Sequence, residues 1–87
     1  MLTHELKTWP IYFERVLAQE KPFEVRRNDR DFQAGDKLLL REWNPDTQQY
    51  SGRTINAIVS YVLNGGDFGI QQGYCVLGLH LPFNQSK

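Results

Sequence analysis

A single cysteine, Cys75, rules out an intramolecular disulfide. It lies in the apolar run Tyr74-Cys-Val-Leu-Gly-Leu, which reads as a buried, inert thiol rather than a nucleophile. A cytoplasmic setting is the expectation for such a chain. No apolar run approaches a bilayer-spanning length, and the opening Met-Leu-Thr-His-Glu-Leu-Lys is charged and has no apolar h-region. Neither a membrane helix nor a signal peptide is therefore expected. Excess charge is also missing, because ten Lys and Arg balance ten Asp and Glu. With no overall field to draw it onto nucleic acid or an anionic membrane, any nucleic-acid binding has to come from a local cleft, and a general DNA coat protein is disfavoured.

His4, His80 and Cys75 stand far apart without paired ligand spacing, so no metal site is expected. The apolar neighbours of His80 make it a largely buried side chain rather than a site residue. Gly65-Gly-Asp-Phe-Gly lacks the preceding strand, the following helix and the lysine of a phosphate-cradling loop. It reads as a mobile connection between strands, and no cofactor is implied.

The chain has 87 residues, 40% of them hydrophobic and 13% aromatic, which suits one compact domain over residues 1–87. Leu2 to Lys7 reads as a first or edge strand. Thr8 is placed to cap a helix over residues 9–20, with Pro10 in the first turn. Trp9, Tyr12, Phe13, Val16 and Leu17 form one apolar stripe facing the core, with Glu14, Arg15 and Gln19 on the wet side. Pro22 stops the helix and opens a strand, Phe23-Glu-Val-Arg-Arg, with Phe23 and Val25 on one face and Glu24 and Arg26 on the other. Lys37 to Trp43 is a strand whose Leu38-Leu39-Leu40 suggests burial on both faces or a curved sheet. Arg53 to Leu63 alternates Ile55, Ala57, Val59, Tyr61 and Leu63 on one side. Tyr74 to Leu81 is the last strand, ended by Pro82. Strand, helix, then four strands predicts an α+β fold: a small, mostly antiparallel, barrel-like sheet with one packed N-terminal helix.

The densest charge lies between Lys21 and Asp31, where Lys21, Arg26, Arg27 and Arg30 face Glu24, Asp29 and Asp31. On composition alone this is a solvated strand edge and loop. A helix ending in a short turn before Lys21-Pro-Phe-Glu-Val-Arg, however, resembles the ASCH-domain signature, Gly-x-Lys-x-x-Glu-x-Arg, of the PUA-like superfamily. Lys21, Glu24 and Arg26 fall on that pattern, while Gln19 stands in place of its glycine and Pro22 where threonine is frequent. His4-Glu-Leu-Lys, Arg27-Asn-Asp-Arg-Asp-Phe and Gly35-Asp36 extend the likeness to a small bacterial and phage branch.

The resemblance implies a PUA-like barrel and an RNA- or nucleobase-binding module built on a cleft. Lys21 would serve as a mobile charge, Arg26 as a planar fork for phosphate and Glu24 as an acceptor for an exocyclic amine. Arg27 and Arg30 would add phosphate contacts, His4 and Lys7 would join if the first strand lies alongside, and Tyr74 and Phe68 could stack a base at the cleft mouth. An ion pair between Glu24 and Arg26 that merely holds a loop is the structural alternative. Some ASCH proteins are amidohydrolases with a threonine nucleophile, a lysine and a later glutamate. Here Glu24 occupies the threonine's place and no glutamate follows Glu42. A small hydrolase acting on a modified nucleoside and a phage or bacterial regulatory interaction domain remain the alternatives to binding.

Overall fold

The computed structural model describes residues 1–82. Along Thr3–Thr8 the residues alternate between exposed and buried, with His4, Leu6 and Thr8 turned inward, and this stretch forms β1. Next come α1 (Pro10–Leu17), β2 (Phe23–Arg27), β3 (Lys37–Asn44), β4 (Gln49–Asn64) and β5 (Tyr74–His80). The strands form one sheet in the order β1-β3-β4-β5-β2. β1 pairs with β3 in parallel, and the other three pairings are antiparallel. The sheet curls into a half-barrel with a single short helix, as the barrel-like α+β reading anticipated at that level.

The helix is shorter than expected at both ends. Trp9 is its N-cap, with an extended backbone (φ −62°, ψ 148°) and no side-chain cap, and Pro10 follows where its missing N–H costs nothing. Thr8, expected to cap, is instead the buried last residue of β1. At the other end Gln19 turns left-handed (φ 61°). The Gln19 amide donates to the Val16 carbonyl and the Glu20 amide to that of Arg15, the paired bonds of a Schellman turn. Helix termination therefore comes ahead of Pro22.

Phe13 and Val16 of α1 enter the core with Leu6, Leu38, Leu40, Ile55 and Leu77. Cys75 lies in the same core, and burial, helped by the charge of Asp29, pushes its thiol pKa up. Ile55, Ala57 and Val59 point inward as expected, but a register shift between Val59 and Tyr61 breaks the alternation. Val62 then packs against the core, and Tyr61 is 65% exposed. The bulge is accommodated by Gly78, where a Cβ would come within 2.6 Å of Ser60 Oγ. His80 is exposed, contrary to its apolar neighbourhood in sequence, because it ends β5 at the rim.

β1 and β2 are the two outer strands, and side chains rather than a backbone ladder connect them. The Leu2 carbonyl accepts from the Lys37 amide, so alternate carbonyls of β1 face away from β3. Two of these, Glu5 and Lys7, accept from Arg30 Nη1 and Arg26 Nη2, each at 2.7 Å. Among the described residues no helix is long and apolar enough to cross a membrane.

Candidate functional site

β2 turns its charged face inward. Glu24 is only 4% exposed, while Phe23 and Val25 point outward. A buried carboxylate needs compensating partners, and two cations supply them. Glu24 Oε1 accepts from Lys21 Nζ at 3.1 Å, and Oε2 accepts from Arg26 Nε at 3.0 Å. Lys21 Nζ also donates to the Phe23 carbonyl at 2.9 Å, and Arg26 Nη2 reaches Thr8 Oγ1 at 3.4 Å in addition to the Lys7 carbonyl. Both side chains are thus held in place from more than one direction.

Above this triplet lies a cleft of about 470 Å³. Lys7, Thr8, Trp9 and Tyr12 form one wall, and Lys21, Glu24, Val25 and Arg26 the other. Three cations and one carboxylate give the lining a positive balance. The Trp9 and Tyr12 rings stack with centroids 6.2 Å apart and planes 26° from parallel. They are 49% and 46% exposed, so neither belongs to the core stripe in which their spacing placed them. Lys21 Nζ sits 5.5 Å from the Tyr12 ring centroid, joining the aromatic wall to the charged one.

The helical spacing misled for a physical reason. Trp9 precedes the first helical residue, so the helix phase does not apply to it. Tyr12 lies roughly 90° around the helix from the centre of the Phe13, Val16 and Leu17 arc, at its flank. A proline one residue after a tryptophan was the available signal that Trp9 would be a cap rather than a stripe residue.

Among the expected site residues, the cleft brings together Lys7, Lys21, Glu24 and Arg26. Arg27 lies on the outer face over Tyr74, with its guanidinium 5.0 Å from that ring, and Arg30 is spent on the β1 edge. Neither Tyr74 nor Phe68 lines the cleft. His4 is on the inward face of β1 but about 13 Å from Thr8 along the strand. There it bonds Asp36 Oδ2 at 2.9 Å and packs edge-on against Phe32. The His4 bond, with the Gln33 and Leu2 amides, holds the Asp36 carboxyl below the usual range despite its burial.

A second ion cluster fixes the aromatic wall. Glu42, buried on β3 opposite the bulge that residues 51–53 make in β4, accepts from Arg53 Nε at 3.0 Å and from Ser51 Oγ at 2.6 Å. Arg53 also bonds Glu14 of α1, clamping the helix that carries Tyr12 onto the sheet. Arg53 keeps the Glu42 carboxyl ionised well into acid, and the two glutamates raise the Arg53 pKa. Among the described residues no group of three or more His, Cys, Asp or Glu side chains gathers to hold a metal ion.

The family model described as "Domain of unknown function (DUF3850)" matches residues 3–79, which include every residue lining the cleft. The chain belongs to this family. A relative of this DUF3850 chain is the "Uncharacterized 12.9 kDa protein in GpA 3′region" of Escherichia phage P2, 35% identical over 65 residues. The match covers 75% of this chain and 58% of the phage protein, so the chain spans less than two thirds of that relative's length. DUF3850 membership and a phage relative meet the expectation of a small bacterial and phage family.

Proposed function

We propose that the cleft binds a nucleotide unit, free or within RNA, and that the fold is related to the ASCH domains of the PUA-like superfamily. The observation that carries this reading is the pair of half-exposed rings, Trp9 and Tyr12, fixed beside the Lys21–Glu24–Arg26 cluster. An aromatic face offers a base roughly 1 to 3 kcal/mol of stacking, and the adjoining cations suit its phosphate. Because both Glu24 oxygens already accept from Lys21 and Arg26, its main part is to position those two donors. Reading an exocyclic amine would use the lone pair left on Oε1.

Binding fits this arrangement better than hydrolysis. Thr8, Lys21 and Glu24 meet in the cleft, although only Lys21 stands at its position in the amidohydrolase pattern. The Thr8 hydroxyl faces Arg26, a donor that cannot take its proton, and Lys21 is paired with Glu24.

Titration with a mononucleotide and with single-stranded RNA at two salt concentrations, followed by tryptophan fluorescence, tests the reading. Trp9→Ala should weaken binding by about tenfold. Lys21→Ala and Arg26→Ala should each flatten the dependence of log affinity on log salt by about 0.7 per lost contact. Affinities and slopes that ignore all three substitutions would show that the ligand, if any, binds elsewhere.

A further inference from the structure

The cation and aromatic surface does not end at the cleft. Lys7 lines the cleft, yet its Nζ lies 4.5 Å from the ring centroid of Trp43 on β3. In the β1–β3 register Lys7 stands beside Arg41, whose guanidinium carbon lies 3.8 Å from the ring centroid of Tyr50 on β4. Trp43 and Tyr50 are themselves register partners. Lys7, Arg41, Trp43 and Tyr50 thus form a continuous patch that leaves the cleft over β1 and crosses β3 to β4. Glu5 flanks the patch, and its exposed carboxylate accepts from Arg41 Nη1 at 3.4 Å.

From this continuity we infer that the occupant is a single-stranded RNA chain of several nucleotides rather than a free nucleotide, an inference that rests on the nucleotide-binding reading of the cleft. From Lys7 to Tyr50 the path crosses two strand spacings, about 10 Å. A nucleotide seated on Trp9 or Tyr12 cannot also stack on Tyr50, whereas the next units of a chain can. Lys7 then stands where a linking phosphate passes, and the guanidinium of Arg41, stacked on the 41% exposed Tyr50, makes with that ring a second platform. An acidic peptide would use the cations but leave both rings without a matching face.

The test compares uridine monophosphate, tetrauridylate and a tetraglutamate peptide as ligands of the full chain. Tetrauridylate should bind about tenfold more tightly than the monophosphate, and the peptide should compete poorly. Arg41→Gln and Tyr50→Ser should each remove most of that gain while leaving monophosphate affinity unchanged, which also shows that the variants are folded. Equal affinity for monomer and tetramer, tetramer binding indifferent to both substitutions, or equal competition by the peptide overturns the extended path and leaves the cleft reading standing. No binding of either nucleotide would sink both.

Discussion

Asp36 stays ionised in the interior because His4 and the backbone amides of Leu2 and Gln33 donate to it. Its folded pKa is depressed, so its stabilisation is present above the unfolded carboxylate pKa, about 3.9, and is lost as pH falls through the folded value. Glu42 acts with the same sign. Asp36→Asn should cost about 3 kcal/mol at neutral pH and make the acid loss of stability shallower, as read from denaturant midpoints at neutral and acid pH. An unchanged acid slope would mean that the unfolding protons are taken up elsewhere. None of this pairing was legible in the chain, because His4 and Asp36 are 32 positions apart and meet only through the tertiary fold. Glu24 differs, since its alternation with Phe23 and Val25 was plain and only the choice of inward face was not. That choice turned on partners for the charge: Lys21, three residues earlier, and Arg26, two later.

Local chemistry explains where elements end and where periodicity fails. The single helix and the five strands could be read from apolar spacing, proline and β-branched residues. The two bulges of β4, at residues 51–53 and at Ser60, could not, because each is set by what lies opposite: Glu42 for the first, Gly78 for the second. Gln19 occupies a left-handed position that favours glycine, the residue of the ASCH-like pattern at that place. Gln19→Gly should therefore stabilise the protein by roughly 0.5 to 1 kcal/mol, relief of backbone strain outweighing the added freedom of the unfolded chain. A higher urea midpoint with an unchanged slope is the expected result, and a lower midpoint would show that the Gln19 side chain contributes more than its backbone conformation costs.

At the scale of the whole molecule, the half-barrel draws its two edges from the first third of the chain and its middle from the rest. The order could not be read from alternation, which says which way a side chain faces but not which strand is its neighbour. The parallel β1–β3 pairing and the placement of β2 beside β5 are accordingly tertiary facts. They have a consequence in time. β3 and β4 are joined by a tight turn in which Asn44 Oδ1 accepts from the Asp46 and Thr47 amides, so their pairing closes the shortest loop. β1 must reach past α1 and β2 to find β3, and β2 must wait for β5. Loop-closure entropy favours the β3–β4 hairpin first and the two edges last. In a pulsed hydrogen-exchange experiment during refolding, amides of β3 and β4 should gain protection before those of β2, and early protection of β2 would reverse this order. On the ribosome, then, the residues that line the cleft emerge well ahead of β5 but stay without their shape until β5 has been made, because β2, which carries Glu24 and Arg26, has no other strand to pair with.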